Sequence, residues 1–218
     1  MEAGRQHRAF ERSAAVHREE GGVEFSRIVA FSDGVFAIAI TLLVLAIEVP
    51  ENAPDLGQIL RSQEGDFLAY ALSFAVVGKF WLAHHRFSSA LLRFDNTLMG
   101  LNLVYLAGIT LVPFTSEVLG DYGDAPAAYI VYATNMAFVS VSFSGSVLYA
   151  YRQGLMRPET QAFERRYAGP ANFLTTAVFV LSIPIALVST SAAVLIWTAT
   201  FVIGRRAADK IAGIQRSD

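Results

Sequence analysis

The chain has 218 residues, of which 54% are hydrophobic and 17% charged, and its net charge is −2. Its mean hydropathy is +0.43. A soluble domain usually carries about 25% charged residues, so this composition indicates an integral membrane protein. The absence of cysteine excludes disulfides and thiolate metal sites. No basic patch with interleaved aromatic residues is present, and nucleic acid is therefore not an expected partner.

The first 24 residues are rich in Arg, Glu and His. They contain neither an apolar segment nor a small-residue cleavage site, so residues 1–24 are predicted to form a polar cytoplasmic tail and not a signal peptide. A helix needs about 20 apolar residues to cross the bilayer core. The first four predicted spans are Ile28–Ile47, Phe67–Ala83, Asn96–Ser116 and Ala125–Tyr151.

The uncharged stretch Tyr167–Gly204 is too long for one span. A single helix of that length would measure about 57 Å, against a core of roughly 30 Å. The cluster Ser189–Ser191, shortly after Pro184, is the predicted break, with span five ending near Val188 and span six near Gly204. The expected fold is therefore an all-α integral membrane protein of six transmembrane helices. Residues 25–206 are expected to form the six-helix transmembrane domain, and residues 207–218 a second cytoplasmic tail.

Basic residues orient these spans. They are concentrated in the N-terminal tail, the second-to-third connection, the fourth-to-fifth connection and the C-terminal tail, whereas the other connections are acidic or uncharged. Because cytoplasmic loops carry an excess of Lys and Arg, both termini are predicted to be cytoplasmic. The expected location is the plasma membrane, as a multi-pass protein.

The first span carries unusual polar residues, since Arg27, Ser32 and Asp33 lie within two turns. An ionisable residue at membrane depth is a functional candidate, although a structural carboxylate that holds helices together is an equal alternative for Asp33. At ~100° per residue, one stripe about 100° wide forms along this helix. Its members are Arg27, Phe31, Gly34, Ile38, Thr41, Leu45 and Glu48.

Ser32 and Asp33 fall to either side of this stripe. If the stripe faces a symmetry axis, both side chains point into neighbouring helices. The polar groups available to them there are Trp81, His84 and His85 of span two and Asn102 of span three. The alternative for the stripe is a packing seam in which Gly34 permits close helix approach.

The string Arg27-x-x-x-Phe31-Ser32-Asp33, running on to Leu45, resembles the signature first helix of the bacterial TMEM175 family of potassium channels. The similarity continues through Phe80-Trp-Leu-Ala-His-His-Arg-Phe87, then Leu101-Asn-Leu103, and reaches Pro113-Phe114. It therefore covers the first three spans closely.

The resemblance implies a homotetramer in the lipid bilayer whose first helices line a central pore for K⁺. It places the hydrophobic constriction at Ile38 and a threonine layer at Thr41, with Leu45 as a further apolar ring. It implies neither a cofactor, nor a bound metal, nor a soluble small-molecule substrate. A buried polar network that braces the pore helix is implied for Arg27, Phe31, Ser32, Asp33, Trp81, His84 and Asn102.

Such a pore would differ from a carbonyl-lined filter, because no Thr-Val-Gly-Tyr-Gly segment occurs. Four Ile38 side chains would form a dehydrating gate, and four Thr41 hydroxyls would offer partial replacement oxygens. Four Glu48 carboxylates at the outer mouth would raise the local cation concentration, although a solvated loop-edge glutamate is an equal alternative.

The alternative function is a proton-permeable or proton-linked cation transporter. A transporter favours ionisable residues near the midplane and internal repeats. No repeat is visible here, and Lys79, His84 and His85 are expected near the cytoplasmic edge, with Lys79 snorkelling. An enzyme is not expected, because no Ser-His-Asp, His-Glu-x-x-His or Gly-rich phosphate motif is found. Adjacent His84 and His85 also point about 100° apart on a helix and cannot chelate one metal together.

Overall fold

The computed structural model describes residues 24–47, 57, 63–163 and 169–198. These residues confirm the all-helical prediction. Apart from helices they contain one isolated antiparallel bridge, between Leu91 and Met156. The helices are α1 Glu24–Ala46, α2 Glu64–Ala90, α3 Asn96–Thr110, α4 Val112–Asp121, α5 Pro126–Arg152, α6 Pro158–Phe163, α7 Gly169–Ala186 and α8, residues 190–198.

Four helices of the described chain are long and apolar enough to cross a membrane: α1, α2, α3 joined to α4, and α5. They correspond to the first four predicted spans. Helix α5 lies at the centre, packed against α3, α4 and α7. It buries 56% of its most apolar segment inside the chain, whereas α1 buries only 22%. Helix α1 therefore lies at the edge of the described helical bundle.

The third span is interrupted, although the sequence predicted one continuous helix. It begins at Asn96 as predicted, but α3 ends at Thr110 and α4 starts at Val112. Pro113 stands in the first turn of α4. Since proline has no N–H to donate back along the helix and its ring clashes with the preceding turn, the break falls at Leu111.

The second helix is longer than its predicted span, which ended at Ala83, because α2 continues to Ala90. The last two turns of α2 still pack one face against the bundle, because His84, Phe87 and Ser88 are all buried. His85 and Arg86 lie on the opposite, exposed face. The charged residues therefore do not end the helix here.

Helices α7 and α8 form a hairpin at the break predicted near Ser189–Ser191. Helix α7 passes Pro184 and ends at Ala186, and α8 begins at residue 190. The indole Nε1 of Trp197 donates to Ser182 Oγ at 2.9 Å and joins the two helices. Several predicted features lie outside the described residues: the far end of α8, Glu48, and both predicted tails apart from Glu24. The count of six spans and the cytoplasmic position of both termini therefore stay predictions.

A short helix that the sequence did not reveal, α6, precedes α7. The chain before it is tied to the end of α2, since Leu92 N donates to Leu155 O at 2.8 Å and Arg157 N donates to Ala90 O at 2.9 Å. These backbone bonds join the two predicted cytoplasmic connections that follow α2 and α5.

Candidate pore helix and its polar anchor

Helix α1 has two faces of opposite character. The inner face carries Ser32, Phe36, Ala39 and Leu43, which are all at most 1% exposed. These residues recur at intervals of three or four, as expected for one side of a helix. This face fixes α1 to the rest of the subunit.

The outer face is the stripe predicted from the helical phase. Phe31 is 56% exposed, Ile38 61% and Leu45 69%, and Gly34 and Thr41 between them are exposed as well. The described members of the stripe therefore point away from the subunit over five turns of helix. Among the described residues, this apolar face has no protein partner.

The hydroxyl of Thr41 has a defined direction. Its Oγ1 donates to the backbone oxygen of Ile38 at 2.9 Å. Since a hydroxyl has one proton and two lone pairs, this bond uses the proton and leaves the oxygen free to accept. Thr41 thus offers an electron-rich oxygen on the exposed face, one turn beyond Ile38.

A chain of side-chain bonds anchors the inner face of α1. Ser32 Oγ donates to Ile28 O at 3.0 Å and accepts from Asn102 Nδ2 at 3.0 Å. The amide oxygen of Asn102 in turn lies 2.9 Å from His84 Nε2. All three side chains are buried, and together they join α1, α2 and α3.

The direction of these bonds fixes the tautomer of His84. The proton of Ser32 is used on Ile28, so Asn102 must present its NH₂ group to Ser32 and its carbonyl oxygen to His84. An amide oxygen only accepts, and Nε2 of His84 must therefore carry a proton. In the neutral ring, Nδ1 is then the unprotonated nitrogen.

The ring of His84 lies in an aromatic setting. It stacks on Tyr105 of α3 with centroids 5.7 Å apart and planes 11° from parallel, and Phe36 of α1 lies 5.7 Å away. Nδ1 is buried and has no hydrogen-bond partner in the described chain, as is also true of Ser88 Oγ. Tyr105 could not be recognised as part of this site from the sequence, because an aromatic residue in an apolar helix is indistinguishable from an ordinary core residue.

Asp33 belongs to a separate contact. Its Oδ1 accepts from Trp81 Nε1 at 3.0 Å, and the ring of His85 lies 5.8 Å from that of Trp81. Asp33 is half-buried, and Trp81 and His85 are exposed. The structure therefore divides the expected network into a buried part with Ser32, Asn102 and His84 and a peripheral part with Asp33 and Trp81.

Arg27 and Phe31 join neither part. Both lie on the exposed face of α1, because their helical phase is that of the stripe. Within the described part of one subunit neither forms a hydrogen bond to the buried network. Their predicted role in bracing α1 remains untested.

Lys79 departs from its expected position. It lies in the middle of α2, is half-buried, and its Nζ donates to Thr175 Oγ1 of α7 at 3.3 Å. Nearby, Thr176 Oγ1 lies 2.8 Å from Ser140 Oγ of α5. The prediction that Lys79 snorkels to the membrane edge is wrong, because a hydroxyl on the neighbouring helix binds its ammonium group within the bundle.

Comparison with known proteins places this site in context. The family model described as the endosomal/lysosomal potassium channel TMEM175 matches residues 27–113, which take in most of α1, all of α2 and α3, and the start of α4. A protein of Streptomyces collinus named a potassium channel is 36% identical over 164 residues, covering 72% of this chain and 77% of the relative.

A more distant relative is named as a proton channel. The Rattus norvegicus protein named endosomal/lysosomal proton channel TMEM175 is 27% identical over 188 residues, which cover 78% of this chain and 37% of that protein. Among solved structures, the crystal structure of a lysosomal potassium-selective channel TMEM175 homolog from Chamaesiphon minutus matches with a TM-score of 0.74 at 29% identity. That match covers 85% of this chain and 98% of the other.

Proposed function

The chain belongs to the TMEM175 family of membrane ion channels, and on this premise we propose that it is a potassium-selective cation channel. Four copies would surround a pore lined by the exposed face of α1. Relatives named potassium channels support the choice of ion. The observation that carries the pore assignment is the outward, apolar stripe of α1, which the described residues of one copy leave uncovered.

The composition of the stripe fits a pore better than a lipid-facing surface alone. Gly34 has nothing within 4 Å of where a Cβ would lie, so copies of α1 could approach one another closely at this level. Ile38 follows one turn later and Thr41 one turn beyond it. A helix face that contacts only lipid would have no need of a glycine such as Gly34 or of an accepting oxygen such as that of Thr41.

The proposed mechanism is partial dehydration at an apolar ring. Four Ile38 side chains form the narrowest level and exclude water unless an ion enters. The Thr41 oxygen, whose own proton is held by the backbone, then replaces part of the lost hydration. Potassium gives up water more readily than sodium, and the ring therefore favours it. Leu45 forms a second apolar level towards the outer mouth.

The remaining features of the proposal concern the whole assembly. We place the mouth of the pore beyond Leu45, where Glu48 would attract cations. Six spans per subunit with both ends in the cytoplasm, and a position in the plasma membrane, complete the arrangement. The alternation of loop charges supports this orientation.

A cysteine scan tests the pore assignment, because the natural chain contains no cysteine. Single Cys variants at Ile38, Thr41 and Leu45 would be treated with a water-soluble thiol reagent while potassium flux into liposomes is followed. Modification at Thr41 and Leu45 should block flux, with slower modification at the dry Ile38 level. Val141 on α5 is an exposed control position that should not respond. Equal effects at all four positions would remove α1 from the pore.

A second candidate is a proton-permeable channel or a proton-linked cation transporter. The relevant observation is that the rat relative is named a proton channel. A pH-sensitive dye inside the same liposomes separates these functions. Proton flux without potassium flux would favour the second candidate, whereas potassium flux at a clamped proton gradient favours the first.

A further inference from the structure

Two connections of the chain are joined at one end of the bundle. The segment after α2 and the segment after α5 meet in the antiparallel bridge between Leu91 and Met156. Gly154, whose φ is +63°, turns the chain back directly after α5, in the left-handed conformation that favours glycine at a helix end. The turn and the bridge bring together what we call the arginine surface: Arg93 after α2, Arg152 in the last turn of α5, and Arg157 before α6.

The charges of the arginine surface are not neutralised locally. All three side chains are exposed, and within the described chain none of them forms an ion pair or a side-chain hydrogen bond. The carboxylate of Asp95 is engaged elsewhere, because Oδ1 accepts from Leu98 N at 2.7 Å and Oδ2 accepts from the Tyr149 hydroxyl at 2.9 Å. Glu159 on α6 is exposed and adds one negative charge close by in sequence.

The opposite end of the bundle carries the opposite charge. The start of α2 and the end of α4 meet there, since a Cβ on Gly120 would lie 3.2 Å from Cα of Asp66. The described residues of this end, 63–66 and 117–125, contain no Lys or Arg. Their exposed carboxylates are Glu64, Glu117, Asp121 and Asp124. A negatively charged partner would therefore approach the bundle at the arginine surface.

We propose that the arginine surface binds the headgroups of anionic phospholipids. Guanidinium groups match phosphate oxygens in paired hydrogen bonds, and clustered basic residues next to membrane spans attract anionic lipids. Apolar side chains stand beside the charges, since Leu92 is 59% exposed and Tyr151 is 39% exposed. Tyrosine is enriched where a span leaves the hydrocarbon core, and Leu92 suits the acyl chains. A soluble phosphate would need the arginines alone, so these two neighbours favour a lipid.

Lipid binding to the purified full-length chain in detergent, measured by native mass spectrometry, tests the proposal without any ion flux. Dioleoyl phosphatidylglycerol should bind at least about tenfold more tightly than dioleoyl phosphatidylcholine, because each basic residue near an anionic surface contributes about fivefold in affinity. Soluble glycerol phosphate at the same concentration should not displace the lipid. Equal affinity for the two lipids would overturn the proposal, as would displacement by glycerol phosphate, which would make the ligand a free phosphate.

The variant that tests the surface replaces all three arginines at once: Arg93→Gln, Arg152→Gln and Arg157→Gln. Its affinity for phosphatidylglycerol should fall at least about tenfold, while its affinity for phosphatidylcholine stays the same. The fold should be kept, because Arg157 bonds to Ala90 O through its backbone N and not through its side chain. Size-exclusion chromatography checks this. An unchanged affinity for phosphatidylglycerol in this variant would contradict the assignment.

The N-terminal tail offers a control of matched charge. The triple change Arg8→Gln, Arg12→Gln and Arg18→Gln also removes three positive charges, from a segment in which glutamates offset the arginines. This control should keep its preference for phosphatidylglycerol. A loss as large as that of the first variant would show that net charge, and not the arginine surface, sets the affinity, and would overturn the proposal.

Discussion

Replacing Asn102 by alanine should weaken the attachment of α1 more than any comparable change elsewhere in the bundle. The substitution strands the buried Nε2–H of His84, at about 1–3 kcal/mol, and removes a bond to Ser32, at roughly 0.5–1.5 kcal/mol. Ser32 keeps its bond to Ile28 and is not stranded. The expected loss of stability is therefore about 2–4 kcal/mol.

The chain supplies a matched control in Asn135. Within the described residues, this second buried asparagine makes a single side-chain bond, to Thr115 Oγ1 at 3.3 Å, and Thr115 retains its own bond to Val112 O. Asn135→Ala should cost only about 0.5–1.5 kcal/mol. Since both substitutions remove the same volume, the cavity costs largely cancel in the comparison.

Thermal unfolding in detergent, followed by fluorescence-detected size-exclusion chromatography at one heating rate, measures both variants. Asn102→Ala should lower the midpoint by roughly 5–15 °C and Asn135→Ala by no more than about 5 °C. Equal losses, or a larger loss in Asn135→Ala, would refute the reasoning that the three-helix anchor is held by Asn102.

Four further substitutions test the pore residues and the helix packing. Ile38→Asn should wet the apolar ring, raising single-channel conductance and reducing the preference for potassium over sodium; an unchanged current would remove Ile38 from the constriction. Thr41→Val keeps the side-chain shape but loses the accepting oxygen, so potassium selectivity measured from reversal potentials should fall while the protein stays folded. Gly108→Ala would bring a Cβ within 2.7 Å of Val139 Cγ2 and should cost about 1–3 kcal/mol in thermal unfolding. Gly145→Ala, where nothing lies within 4 Å, should be neutral or stabilising.

The two faces of α1 were predictable from the sequence because helical phase depends only on residue spacing. Ile38 and Thr41 are exposed and Ser32 is buried, as the phase requires. The partners of Ser32 were predictable as a set, because His84 and Asn102 are polar residues in apolar helices. The sequence could not predict which of these side chains form hydrogen bonds, or which of them donate. Both depend on the rotamers and on where the single hydroxyl proton of Ser32 points.

Helix ends were less predictable than helix positions. The charged residues after Ala83 predict that the second span ends there, yet α2 continues to Ala90 because its inner face is still packed. Pro113 explains the break at Leu111. The break could not be predicted from Pro113 alone, because many membrane helices continue past a proline, as α7 does at Pro184. Contacts between helices, such as Lys79 with Thr175, require the packing to be known.

The central claim is that α1 lines a pore that distinguishes potassium from sodium. Its most direct test is the flux of each ion, under matched gradients, into liposomes that contain the purified full-length chain. Potassium should enter faster than sodium, and the difference should shrink in Ile38→Asn. Equal entry of both ions in the unmodified protein, or entry of neither, would contradict the account.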